Sequence, residues 1–405
     1  MELPKAVQTI IHLLERNGYE AYAVGGCVRD LFLHRVPKDW DVTTSAPPEA
    51  VKGIFHRTVD TGIKHGTVTV LMGGEGYEVT TYRIDGVYSD FRHPEDVHFT
   101  TALEEDLKRR DFTINAMAYD GEGRVVDLFG GRKDLQDSVI RAVGVAEERF
   151  TEDALRILRA FRFSAELGFT IEEKTLAAAG KLAGNLRFIS RERVREELTK
   201  LLVSPHPDRI RDLYRIGAIN DIYPAYPEED GPLLAALNAL PPDPVLRYAA
   251  LFYYGADRQE ERAALGEQVI TELRFDNATK NRVVKLLALS DTAPSAEPYA
   301  VRCILSRAGE ELFPLLVQLL QAVSKKEDPV FDEMLREGEA VIQRGECVSV
   351  SQLKINGTEL LSLGTAPGRA VGETLKKLLE EVLKAPEKNE KETLAALVSA
   401  WNKTK

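Results

Sequence analysis

Two spacings of apolar residues divide this chain. Up to about residue 145, short segments alternate between strand and helix patterns. The segments 66–72 (GTVTVLM) and 77–83 (YEVTTYR) alternate apolar and polar positions, which predicts half-buried strands. Residues 20–24, 40–44 and 125–128 read as further short strands. Helices are predicted over 5–17, 27–33, 48–55 and 102–110. That order predicts an α+β layer built on a small mixed sheet. After about Arg141 the strand signals end, and apolar residues such as Leu155, Leu158, Phe161 and Phe163 recur at helical spacing. LRILRAFRF, VREELTKLL, VVKLLALS and LFPLLVQLLQAV are all helix-like, and Pro-rich stretches at 205–207, 224–232 and 241–244 mark loops or boundaries. The expected fold is therefore an α+β head followed by an all-α stalk.

Composition narrows this picture. At 405 residues, 44% hydrophobic and 29% charged, the chain has ample material for packed domains. No apolar run approaches the roughly 18 residues a membrane span needs, and residues 1–18 read as an amphipathic helix rather than a signal peptide. Three dispersed cysteines make neither a disulfide framework nor a CxxC zinc site, so a cytoplasmic location is expected. All seven histidines lie at or before His206, which excludes a His-based metal domain from the C-terminal half. The net charge of −11 argues against a uniformly basic coat, although a local basic stripe is enough to bind nucleic acid.

The candidate chemistry begins at AVGGCVRDLFLHRVPKDWDVTTS, residues 23–45. Asp39 and Asp41 are separated by one residue entering a strand, which would put two carboxylates on one sheet face. Two carboxylates that close repel unless a cation lies between them, and hard oxygen ligands suit Mg²⁺. The Gly25-Gly26 turn precedes a short helix whose first amides could receive a phosphate. Alone, a Gly pair is a tight turn and an Asp-x-Asp is a loop or cap. Their succession points to metal-assisted phosphoryl or nucleotidyl transfer. Glu78, on a neighbouring strand, is either a third carboxylate of this group or an exposed strand residue.

Two further stretches bear on that chemistry. In EEDLKRRDFTIN (104–115), the cations end a helix and suit its dipole. Beside a triphosphate, Arg110 would gain a second use as a fork-shaped oxyanion binder, with Asp111 and Asn115 ordering the loop. In EDALRILRAFRF (152–163), Asp153 and Arg156 are i, i+3 neighbours on a helix, and Arg159 and Arg162 extend the same side. A plain salt-bridge face is the simpler account. The same pair also suits base selection, because cytosine and adenine both present an amine donor next to a ring-nitrogen acceptor. Arg187, Arg191, Arg193 and Arg195 form the densest basic cluster beyond residue 145, interleaved with Glu192, Glu196 and Glu197.

GGCVRD…DWD, HGT (65–67), RRDFTIN, DLFGGRKDL and EDALRILRAFRF together resemble the tRNA nucleotidyltransferases, and more narrowly the class II bacterial CCA-adding enzymes of the polymerase-β-like superfamily. The resemblance covers essentially the whole chain and is tightest up to Leu202; in the tail segment from Leu353, Arg369 stands where a second proline is expected. It implies template-independent addition of C, C and A to the tRNA 3′ end from CTP and ATP, with pyrophosphate released. It implies two Mg²⁺ ions on the catalytic Asp39 and Asp41, and nucleotide contacts from Gly26, Arg29, Arg110, Asp153, Arg156, Arg159 and Arg162. It implies a catalytic head (1–145), a nucleotide-selecting neck (146–205), a body (206–325) and a tRNA-binding tail (326–405). The partner would be the acceptor and T arms of tRNA, with no DNA and no membrane. The oligomeric state is left open, a homodimer among the options. Residues 85–99 look like the loop used in switching from C to A addition. Its full length favours adding all three nucleotides or the terminal A alone. Poly(A) polymerases typically carry a Gly-Arg-Arg-Phe string where this chain has TVDTGIKHGTVTV.

Overall fold

The structure is a computed structural model that describes residues 2–86, 97–324 and 328–403. The chain folds into two compact units, Met1–Tyr226 with Glu272–Arg274, and Pro227–Thr271 with Phe275–Lys405.

The first unit opens with α1 (Lys5–Arg16), β1 (Ala21–Val24), α2 (Gly26–Phe32), β2 (Asp41–Thr44) and α3 (Pro48–Ile54). It continues through β3 (Thr58–Gly62), β4 (Thr67–Met72), β5 (Glu75–Thr81), β6 (Arg83–Asp85), β7 (Val97–Phe99) and α4 (Leu103–Lys108). Then come β8 (Met117–Tyr119), β9 (Val125–Asp127), α5 (Gly131–Gln136), β10 (Val139–Ile140), α6 (Ala146–Glu152) and α7 (Leu155–Leu167). β11 (Thr170–Ile171), α8 (Glu173–Leu182) and α9 (Arg191–Leu202) follow. Seven strands form one mixed sheet in the order β3-β4-β5-β2-β1-β8-β9. β2 runs parallel to β5, and the other pairs in the sheet are antiparallel. The head is thus α+β, as its alternating pattern predicts.

Four differences from the sequence pattern have physical causes. The strand expected over 77–83 ends at Thr81, and Tyr82, 0% exposed, turns inward against Tyr22, Leu107 and Ala118. β6 then pairs with β7 in a separate ribbon, so the ends of the 85–99 segment are joined; its middle, 87–96, lies outside the described residues. The exposed edge strand β3 and the three-residue β8 carry too little alternation to read. Strand structure does not stop at Arg141, because the two-residue β10 and β11 pair in parallel. The helix expected through Glu152–Phe163 breaks at Asp153, whose backbone leaves the helical region (φ −137, ψ 103) and whose Oδ1 accepts from the Leu155 amide at 3.0 Å. Aspartate competes with helical backbone bonding and favours such caps.

The second unit is helical throughout its described elements. Helices Phe313–Val323 and Val330–Gln343 meet at Gly338, where an added Cβ would lie 2.2 Å from the Phe313 ring. Buried Arg302 donates to the Leu383 carbonyl at 2.7 Å and to Glu346 at 3.1 Å, tying helix Pro298–Ala308 to the end of helix Arg369–Lys384.

Candidate nucleotide-binding and transfer site

The ladder of the sheet aligns the first set of residues. Asp41 is opposite Val24 on β1 and Glu78 on β5, and Glu78 is opposite Thr69 on β4. The two carboxylates are therefore side by side in one row across three strands. Asp39 lies in the bend before β2 rather than in the strand, which corrects the simple i, i+2 picture. It is still near enough to act on Asp41. Asp41 keeps contact with solvent, yet surrounding protein displaces enough water to raise its pKa; Arg110 pulls it down, while Glu78 and Asp39 push it further up. A cleft of about 210 Å³ opens here, lined by Asp41, Glu78, Thr67, Arg83, Arg109 and Arg110.

The turn after β1 is shaped for close approach. Gly25 has φ +83, a conformation that suits glycine. A Cβ there would lie 3.1 Å from Arg110 Nη1 and 4.0 Å from Asp41 Oδ2. Gly26 opens α2, and Arg29, one turn on, donates to Asp30 at 2.9 Å and to Asn115 at 2.9 Å. Arg29 also stacks 5.0 Å over the Phe163 ring. The sequence-predicted roles of Asp111 and Asn115 in ordering this loop take definite form. Asn115 donates to Asp111 at 3.1 Å, and Arg159 donates twice to the other Asp111 oxygen, at 2.8 and 2.5 Å.

Burial alone would raise the Asp111 pKa, but the charge and hydrogen bonds of Arg159 and the Asn115 amide hold it well below the usual carboxylate range. A depressed folded-state pKa adds stability above the unfolded-state value of about 4, and that stability is lost as the pH falls below it. Asp111→Asn should therefore lower the melting temperature at pH 7, and the gap to the wild type should narrow progressively as the pH falls from about 4 toward 2. Melts across that range check it; a gap independent of pH would show that the charge of Asp111 is not what stabilises.

The base-reading candidates are brought near one another but not to each other. Asp153 accepts from Arg193 at 2.8 and 3.4 Å. Arg156 donates to Glu152 at 2.8 Å and to the Arg109 carbonyl at 2.9 Å. Arg162 is 9% exposed, with its Nε 2.6 Å from Glu197 and its guanidinium 4.1 Å over Phe163. The Arg162–Glu197 contact is a close charge pair rather than an aligned hydrogen bond, since both atoms lack hydrogen-bond geometry. Arg29, Arg159 and Arg162 all face the ring of Phe163. The basic cluster of α9 is largely engaged: Arg193 holds Asp153, Arg191 pairs with Glu272 and Arg195 donates to the Arg274 carbonyl.

Sequence reasoning missed Asp106, Glu152, Phe163 and the role of Arg193. Asp106 was legible, since it precedes Arg109 and Arg110 at i+3 and i+4, the spacing of helical ion pairs. Arg193 was not, because 40 residues separate it from Asp153. A larger cavity of about 630 Å³ lies between α6 and α8, but Arg141 there is already paired with Asp134 and Glu172, and Lys181 with Glu147. Among the described residues no group of three or more His, Cys, Asp or Glu converges as a ready-made metal cage. Two carboxylates fit Mg²⁺ nonetheless, because that ion keeps water and substrate oxygens in its shell.

Three family models match in series. They are the poly A polymerase head domain over residues 21–141, "Probable RNA and SrmB- binding site of polymerase A" over 168–228, and tRNA nucleotidyltransferase domain 2 over 249–398. The chain is 38% identical to the CCA-adding enzyme of Geobacillus kaustophilus, over 98% of this chain and 96% of that one. It is also 38% identical to the CCA-adding enzyme of Leuconostoc mesenteroides, over 92% and 90%. The solved Bacillus stearothermophilus CCA-adding enzyme in complex with CTP superposes with a TM-score of 0.83 at 34% identity, covering 100% of this chain and 99% of that one. With identity of 34–38% over nearly the whole of both chains and a matching fold, this chain belongs to the bacterial CCA-adding enzymes.

Proposed function

We propose that this protein adds C, C and A to the 3′ end of tRNA from CTP and ATP, without a template, releasing pyrophosphate. The observation that carries this is the cleft shared by Asp41, Glu78 and Arg110, in which Asp41 and Arg110 face the turn at Gly25. A carboxylate row beneath an arginine fork suits a metal-bound triphosphate.

Asp39 and Asp41 would hold two Mg²⁺ ions, with Glu78 beside them sharing the charge set. Bound Mg²⁺ supplies neutralisation of the triphosphate and activation of the tRNA 3′-hydroxyl. Gly26, Arg29 and Arg110 orient the triphosphate, so the hydroxyl meets the α-phosphorus in line. Asp153 and Arg156 read the base edge, and Arg159 and Arg162 support the nucleotide from α7. The four-part division into a head (1–145), neck (146–205), body (206–325) and tail (326–405) describes how these tasks are shared along the chain. Body and tail bind the acceptor and T arms mainly through phosphates, so affinity falls with salt. The reaction takes place in the cytoplasm.

The test is incorporation on three RNAs with each nucleotide. A tRNA ending before CCA should gain C, C and A; one ending before the last A should gain A; a generic RNA should gain nothing, and EDTA should stop all transfer. Stopping after the second C, or adding only A, would make the enzyme a partial adder. Continued A addition on generic RNA would make it a poly(A) polymerase.

A further inference from the structure

We propose that Asp106 is a positioning residue for nucleotidyl transfer, holding the guanidinium of Arg110 against the Gly25 turn and away from the carboxylates it faces. The proposal rests on the reading of the cleft given above.

Asp106 is 0% exposed, and both its oxygens are filled. Oδ1 accepts from Arg109 Nε and Nη2 at 3.0 and 2.7 Å. Oδ2 accepts from Arg110 Nη2 at 3.2 Å and from the Thr43 hydroxyl at 3.1 Å. Thr43 is two residues beyond Asp41 on β2, on the same side of the strand. One buried carboxylate therefore links the end of α4 to the strand that carries Asp41. Burial would raise its pKa, but Arg110 and Arg109 hold it below the ordinary value, so it stays charged.

The consequence falls on Arg110. Asp106 engages Nη2 alone, Nη1 faces Gly25, and the buried Nε has no partner among the described residues. A fork held by one nitrogen keeps its remaining donors for an oxyanion. Arg110 is also the strongest cationic influence on Asp41. Released from Asp106, it would turn toward Asp41 and neutralise the carboxylate that nucleotidyl transfer needs. A purely structural pair would also be destabilising to break, so the test must separate positioning from folding.

A double-mutant cycle does so. Asp106→Asn, Arg110→Ala and their combination are assayed for CMP incorporation on tRNA ending before CCA, and for equilibrium CTP affinity, below their measured melting temperatures. Asp106→Asn should lower kcat/KM for CTP about 30-fold and Arg110→Ala about 100-fold. The double variant should fall no more than about threefold below Arg110→Ala, because Asp106 acts through Arg110. Thr43→Val, expected to lose about threefold with the same non-additivity, serves if Asp106→Asn does not fold. Fully additive losses, or near-normal activity of Asp106→Asn, would overturn the proposal. A wild type that binds CTP but transfers nothing would defeat the transfer reading while the cycle is still read in CTP affinity. No CTP binding by the wild type would overturn both.

Discussion

Asp41→Asn should leave a folded protein that no longer incorporates CMP or AMP, with kcat reduced by at least about 10³-fold. The substitution keeps the shape of the side chain while it removes the charge and replaces one acceptor oxygen with an NH2 donor. Asp41 lies where charge is least comfortable, because partial desolvation and the neighbouring Glu78 and Asp39 raise its pKa. A carboxylate whose folded-state pKa exceeds its unfolded value destabilises the fold above that unfolded value, about 4, and ceases to do so at lower pH. Asp41→Asn should therefore melt at or above the wild-type temperature at pH 7, and the difference should fade toward pH 4. Loss of activity with undiminished stability is the signature of a site selected for chemistry against folding. Incorporation assays beside melts read both quantities. Retention of more than about a tenth of wild-type kcat would rule Asp41 out as the metal-bearing carboxylate.

What the sequence exposes and what it hides follow from range. The strands at 66–72 and 20–24 were legible because alternation and β-rich composition are local signals, and β4 and β1 fall within a residue of them. The Gly25 turn and the Asp39/Asp41 pair were legible for the same reason. Tyr82 was not: nothing near it marks the point where a strand leaves its sheet to fill a core built from Tyr22, Leu107 and Ala118. The partners of the site were equally hidden. Arg29 meets Asn115 across 86 residues and Arg159 meets Asp111 across 48; Glu78 was legible only as one of two readings until the parallel register of β2 and β5 set it opposite Asp41. The helix break at Asp153 was hidden in another way. The apolar spacing continues through it, and the cap is formed by the residue that looked like part of a helical face.

That break bears on nucleotide choice. Replacing both Asp153 and Arg156 by Ala should collapse the preference for CTP and ATP over UTP and GTP to less than about tenfold. Cytosine and adenine offer an amine to a carboxylate and a ring nitrogen to a guanidinium; uracil and guanine reverse both. Each unmatched buried group costs about 1–3 kcal/mol, so on the proposed reading the pair together would discriminate by roughly 10² to 10⁴. Discrimination of that size requires the two groups to be held rather than tethered, and each is held from outside the base edge. Asp153, off the helix, is fixed by Arg193 and by the Leu155 amide. Arg156 is fixed by Glu152 and by the Arg109 carbonyl, one residue from Arg110. On the proposed reading, the base-reading Arg156 is anchored on the carbonyl that precedes the phosphate-facing Arg110, so a mismatched base would disturb the triphosphate end as well. The double variant should then lose selectivity mainly because UTP and GTP gain relative to CTP and ATP, while all four are used more slowly. Ratios of kcat/KM in competition between paired nucleotides measure this directly. If the C and A preference survives, selection lies with other residues, and Asp153 and Arg156 serve only to hold α6, α7 and α9 together.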